Sequence, residues 1–372
     1  MYTRFAIYLL TLTWGLATQT LASDGHEDHG EVHAHEEEFN ASEFIIHHIA
    51  DAHEIHLWGE GHSAVHIPLP VLLYSEEHGL DVFMSSAFEG HGEVRTAKRG
   101  EATYELSHGH ISLVSEGAHD HHHDHEGHDH HGPKVYDLSI TKSIFGMLLM
   151  LGLLMLLFGR MARSYRARPG QAPTGLTNAL EPLVLFLRDE IAVPNIGAKK
   201  ADKFLPFLLT VFFFIFFANL LGLVPFIGGF NVTGTLGITM VLAALVFLIT
   251  TLNGNKHYWG HLFWPPGVPL FVMPIIIPIE IVGMFLKPIV LMIRLTANIS
   301  AGHIIILSFV SLIMIFGKGG DAMSAGYGIG VVSTAFMIFM YCLELLVAFL
   351  QAFVFTLLAA IYFGEATHEA HH

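Results

Sequence analysis

At 372 residues, 52% hydrophobic and only 14% charged, the chain is too apolar for an ordinary soluble protein and must spend much of its length in lipid. Its formal net charge of −15 is unevenly spread: residues 24–132 carry 23 Asp and Glu against three Lys and Arg, whereas residues 133–372 carry 10 acids against 14 bases. Two stretches suited to different solvents are joined, and a single cysteine, Cys342, excludes a disulfide framework for the polar one.

Residues 1–22 read as a secretory signal peptide: Arg4, then an apolar run from Phe5 to Ala17 too short to span a bilayer, then Thr20-Leu21-Ala22. Residues 23–132 are then an exported, His/Asp/Glu-rich region. Its tracts 24–38 and 118–132, the second reading AHDHHHDHEGHDHHG, cannot build an apolar core and are expected to be disordered. Between them, His66–Tyr74, Leu80–Phe88 and Ala102–Leu106 are short β-prone runs separated by Gly, Pro and polar clusters, as in a small β domain.

Residues 133–372 form the membrane domain. Leu138–Phe158 is the first spanning candidate, and Arg160, Arg163, Arg166 and Arg168 behind it place its end in the cytoplasm. Leu176–Lys203 keeps Arg188, Lys199, Lys200 and Lys203 on that side, with Leu180, Leu183, Val184 and Leu187 at helical spacing, as an interfacial amphipathic helix would. Phe204–Leu223 crosses outward and Leu236–Leu252 returns. After a proline-rich bend over Trp264–Pro278, an apolar segment runs to Phe316, Gly317–Gly330 turns, and Val331–Phe363 brings the chain back to a cytoplasmic carboxyl end. Pro278–Phe316 alone is roughly 58 Å of helix against a hydrocarbon core of about 30 Å, so it must tilt or bend, with Gly283, Pro288 and Gly302 as places to do so. The expected fold is an all-α polytopic membrane protein of about five crossing helices plus an amphipathic interfacial helix, the last two long, strongly tilted and paired as a hairpin, behind a small, partly disordered exported region.

Ionisable and polar groups interrupt this hairpin: Glu280, Lys287, Arg294, Asn298, His303, Glu344 and Gln351. A charge near the bilayer centre costs on the order of 3 kcal/mol or more, and several along one hairpin favour a water-lined ion or proton path over simple mutual pairing. Glu280, Lys287, Arg294 and Ala301 recur every seven residues and Asn298 lies one turn beyond Arg294, so they share one stripe; His303, nine residues on, falls on the opposite side. Glu344 and Gln351 share a stripe of the returning helix. Folding the hairpin brings Gln351 near the level of Arg294 and Glu344 near that of His303, with Glu280 towards the cytoplasm.

The strings KPIVLMIRLTANISAGH (Lys287–His303) and LELLVAFLQAFVFTLLAAIYF (Leu343–Phe363), with NLLGLVP (Asn219–Pro225), Asn231-Val232-Thr233 and Arg188-Asp189-Glu190-Ile191, resemble the ATP synthase subunit a family over about residues 138–363. The resemblance implies a non-catalytic, proton-conducting stator subunit in a bacterial inner membrane, its N-terminal region periplasmic and its carboxyl end cytoplasmic. It gives Arg294 the role of the essential arginine, Asn298 that of its polar neighbour and Gln351 that of the facing glutamine, and it places Glu280 and Lys287 on family positions. His303 and Glu344 stand in an order exchanged from a common bacterial arrangement. The implied partners are a c-ring of carboxylate-bearing subunits, the peripheral stalk subunit b and the remainder of the F-type complex; no cofactor is implied. A guanidinium stays protonated, draws out the ionised form of a passing carboxylate and repels cations, so Arg294 can separate two aqueous half-paths.

The rival reading is a metal-ion transporter, motivated by 22 histidines within residues 24–132. An arginine in the membrane region, where a cation carrier needs converging His, Asp or Glu, weighs against it. A plain structural anchor is the third reading. For the histidine tract, a solvated linker, metal sequestration and proton buffering all stay open. No GxxxxGK[ST] loop is present, which leaves nucleotide chemistry to partners.

Overall fold

The computed structural model describes residues 42, 45, 51–58, 65–90, 94–100, 102–107, 109–114, 135–224, 230–264, 269, 271–317 and 323–367, all within one compact unit, Asn40–His372. The expected signal segment and both histidine-rich tracts lie outside the described residues.

Eight short strands come first: β1 (Glu54–Trp58), β2 (Val65–Pro68), β3 (Pro70–Ser75), β4 (Gly79–Met84), β5 (Val94–Arg99), β6 (Ala102–Ser107), β7 (His110–Leu113) and β8 (Val135–Asp137). All pairings are antiparallel, in three sheets of order β1-β2, β4-β3-β8 and β5-β6-β7. Period-2 alternation turns Val71 and Leu73 of β3 and Ala102, Tyr104 and Leu106 of β6 into one core with Phe83 and Phe88. Each such fully buried aliphatic or aromatic side chain is worth about 1.5–3 kcal/mol in water. Tyr104 keeps its one polar atom satisfied by donating to Asp81 Oδ2 at 2.5 Å. Burial first, and the Asp81 carboxylate second, push its phenol up to about 12.

Strand β8 leads into helix α1 (Lys142–Ala167), whose first amides are capped from two directions. Thr141 Oγ1 accepts from Ile144 N, while the segment before β1 supplies Asp51 Oδ1 to Ser143 N at 3.0 Å and Ala52 O to Lys142 N at 2.8 Å. The helix therefore starts four residues later than the apolar run Leu138–Phe158 suggested, because Leu138 and Ile140 amides bond along β3 instead. It also runs on through Arg160, Arg163 and Arg166, since nothing after Phe158 breaks it. Ser143, Gly146, Met150 and Leu154 form its buried stripe, and the opposite face, with Met155 80% exposed, is apolar as lipid requires.

The expected amphipathic helix over Leu176–Lys203 runs without leaving the helical region only over Leu176–Ile196, as α2 (Leu176–Phe186), a π-helical turn (Leu187–Ala192) and α3 (Val193–Ile196). Gly197, at φ +93°, then turns the chain into α4 (Ala198–Gly222), a conformation a side chain would oppose. Lys199, Lys200 and Lys203 thus belong to the start of a spanning helix. Helix α4 is central: Phe212, Phe213 and Ile215 are fully buried, and Phe204 stacks on Phe363 at 4.9 Å between centroids.

Helix α5 (Leu236–Leu252) spans the residues read from the sequence and is followed, after a 102° bend, by α6 (Lys256–Phe263). The last two helices, α7 (Met273–Gly317) and α8 (Met323–Thr367), are 45 residues each. They run antiparallel, with Phe309 stacked on Phe336 at 5.5 Å and Gly302 opposite Glu344. Each is about 68 Å long, more than twice the hydrocarbon thickness, so the hairpin lies strongly tilted in a bilayer. The proline-rich bend ends earlier than expected: α7 begins at Met273 and carries Pro278 and Pro288 inside it. The turn is also shorter than Gly317–Gly330, because α8 continues back through the glycines to Met323. Among the described residues four helices are long and apolar enough to cross a membrane, and the bent α5–α6 pair makes a fifth.

Candidate functional site

On α7 the buried stripe is Leu291, Leu295, Ile299 and Ile306, and the hydroxyl pair Thr239–Thr296, at 2.7 Å, ties it to α5. Arg294 and Asn298 lie off this stripe, on an exposed face shared with the small residues Ala297 and Ala301. Arg294 has no hydrogen-bond or ion-pair partner among the described residues. Gln351 is buried on α8, among Ala348, Ala352 and Phe355.

Towards the β unit, α7 places His303 between two carbonyls: Nδ1 faces Ile299 O at 2.9 Å and Nε2 faces Gly222 O, at the end of α4, at 3.2 Å. A neutral imidazole has one N–H for these two acceptors; a second proton lets the ring donate to both. Glu344 is 5% exposed and reaches across from α8 into the space beside Gly302, where a Cβ would fall on its carboxylate. His303 is close enough to act on that carboxylate electrostatically. The same layer is lined with polar groups that α4 and the start of α5 bury. Thr233 donates to Asn219 Oδ1 at 2.5 Å, Asn219 donates to Ala348 O at 3.3 Å, and Asn231 Oδ1 has no partner among the described residues. Thr235 donates to Ser143 Oγ at 2.8 Å, carrying the polar layer to the foot of α1.

At the other end of the hairpin, α6, α7 and α8 border a half-open cavity of about 540 Å³ lined by His257, Tyr258, His261, Glu280, Lys287 and Glu365. Lys287 Nζ donates to Glu365 Oε2 at 2.5 Å and sits 5.1 Å over the Tyr362 ring. The structure thus brings together His303 with Glu344, and Glu280 with Lys287; it does not pair Arg294 with Gln351. His257, His261, Tyr362 and Glu365 escaped the reading of the sequence. Glu365 carried a usable signal, since Glu344, Gln351, Leu358 and Glu365 recur every seven residues, the spacing that singled out the α7 stripe. Among the described residues no three His, Cys, Asp or Glu converge as a metal site.

The fold and these buried ionisable groups define a multi-pass membrane protein with charged and polar layers inside its helix packing. The family model for the ATP synthase A chain matches residues 144–364, and a second model, for a domain of unknown function, matches residues 44–138. ATP synthase subunit a of Pelodictyon phaeoclathratiforme is 43% identical over an alignment of 254 residues, which covers 65% of this chain and 71% of that relative. ATP synthase subunit a 2 of Prosthecochloris aestuarii is 44% identical over 63% of this chain and 71% of its own, and subunit a of Myxococcus xanthus is 40% identical over 63% and 75%. The chain belongs to the ATP synthase A chain family.

Proposed function

We propose that this chain is the proton-conducting stator of an F-type ATP synthase, carrying protons by two offset aqueous half-paths to a rotating ring of carboxylate-bearing subunits, with Arg294 between them. The observation that carries this reading is the placement of Arg294: a permanent cation without a described partner, on an exposed face edged by Ala297 and Ala301, between two separate ionisable clusters.

The ring docks on that face, where small side chains permit close approach. A protonated ring carboxyl is neutral and can travel in lipid; facing Arg294 it ionises, because the guanidinium favours the charged form. The His303–Glu344 layer is the outer path. A proton reaching Glu344 passes to or from the imidazole, which changes its count of donated hydrogen bonds to Gly222 O and Ile299 O. The cavity holding Glu280 and Lys287 is the inner path. Asn298, one turn beyond Arg294 on the same exposed face, orients water and the carboxylate near the guanidinium, and Arg294 itself repels a cation attempting to cross directly. The chain is non-catalytic, and subunit b and the remaining subunits hold it against the turning ring. It sits in a bacterial inner membrane with residues 23–132, after a signal peptide over 1–22, on the outer side and its carboxyl end in the cytoplasm. The arginines behind α1 support that orientation.

The test is ATP-driven proton uptake by membrane vesicles containing the assembled complex. Arg294→Ala, in a complex shown to be intact by subunit recovery, is expected to abolish coupled pumping. Pumping at the native rate would leave a structural anchor as the better reading.

A further inference from the structure

Lys287 and Arg294 are both cations on α7, seven residues and about 10.5 Å apart along one stripe. The structure treats them differently. Arg294 has no ion-pair partner among the described residues, whereas Lys287 is fixed twice, by Glu365 at 2.5 Å and by the face of Tyr362 at 5.1 Å. Tyr362 in turn lies within electrostatic reach of Arg294 and Glu365. Helix α8 therefore delivers one carboxylate to one of the two cations.

We infer that Glu365 is a positioning residue for proton transfer: it neutralises Lys287, so that a ring carboxylate meets a single uncompensated cation, Arg294, along this stripe. The inference rests on the reading of Arg294 proposed above. A free ammonium two turns from the guanidinium would give the passing carboxylate a second resting place and slow its release. An ion pair is a dipole, whose field falls off faster with distance than that of a net charge. The side chains of Lys287 and Glu365 are 42% and 47% exposed, so their pairing adds little to stability, and its value lies in cancelling charge where the carboxylate passes. The other ionisable groups of the cavity are Glu280 on α7 and His257, His261 and Tyr258 on α6; Lys200, on α4, is turned to Thr367 O at 2.7 Å.

The experiment compares ATP-driven proton uptake in vesicles holding assembled complexes that carry Glu365→Gln, Glu365→Asp, Glu365→Gln with Lys287→Gln, and Arg294→Ala. Glu365→Gln is expected to slow pumping roughly three- to tenfold. Glu365→Asp keeps the charge and should stay within about twofold of native, and the complex with Lys287→Gln added to Glu365→Gln should pump faster than Glu365→Gln alone, short of native because Lys287 also lines the inner path. Native pumping by Glu365→Gln overturns the inference. So does a doubly substituted complex as slow as Glu365→Gln, because Glu365 would then act by itself rather than through Lys287. An inactive Arg294→Ala beside a fully active Glu365→Gln removes this inference alone; an active Arg294→Ala removes the reading beneath it as well.

Discussion

Gly302 shows how narrow the tolerances are at the level of one residue. A methyl group there would occupy the place of the Glu344 carboxylate. The obstacle is the far end of a flexible side chain, so Gly302→Ala should fold and assemble, at a cost within about 1 kcal/mol. Glu344 would nonetheless have to swing away from His303, and we expect pumping to fall several-fold with subunit recovery unchanged; equal pumping would remove Glu344 from the outer path. Arg294, Glu344 and His303 were legible in the sequence because an ionisable group in a long apolar run is expensive and demands a reason. The acceptors that hold His303, Gly222 O and Ile299 O, were not, since backbone carbonyls have no sequence signal until the helices are packed. Glu365 is faint in the sequence for a different reason. It lies near the end of the last apolar run, where a carboxylate reads as ordinary surface chemistry.

Among the elements, helix existence was plain and helix ends were not. Proline removes a backbone donor and clashes with the preceding turn, which makes Pro278 look like a boundary. In a tilted membrane helix the alternative to helix is unpaired backbone in lipid, and neighbouring turns hold α7 together through Pro278 and Pro288. The same preference carries α8 back through Gly330 and Gly328 to Met323. The π-helical turn between α2 and α3 was hidden too, because hydrophobic period alone does not distinguish it from a continued α-helix. Where α8 passes α3, Gly364 lies directly against the Asn195 carbonyl. That obstacle is backbone and cannot rotate aside. Gly364→Ala should therefore force the two helices apart, at about 2–3 kcal/mol, seen as a lower melting temperature of the detergent-solubilised complex. An unchanged melting temperature would mean that α3 yields freely.

For the molecule as a whole, the β unit and the helices are joined by more than the chain between them. Asp51 and Ala52 cap α1, and His53, 4% exposed, bonds through Nε2 to Asp137 Oδ2 at 3.0 Å just where β8 turns towards that helix. The three β-prone runs signalled extended chain but not this join, whose partners lie 84 residues apart and leave no local pattern. Burial alone would push the Asp137 carboxyl up, but hydrogen bonds from His53 and from the Ser139 hydroxyl and amide outweigh it and hold the group below its ordinary value. A lowered carboxyl contributes stability that is full above its unfolded value and is lost as pH falls through the folded one. Asp137→Asn removes that contribution. At neutral pH the amides of Leu138 and Ile140, which bond to β3, should exchange with solvent several-fold faster in this variant than in the native chain, equivalent to about 1 kcal/mol of lost local protection. The ratio of the two rates should shrink towards one as the pH drops below the ordinary carboxylate range, because the native Asp137 is then protonated as well. A ratio of one at neutral pH would show that the join is held by the caps of α1 alone, and a ratio that stays constant down to strong acid would show that Asp137 acts there by shape rather than by charge.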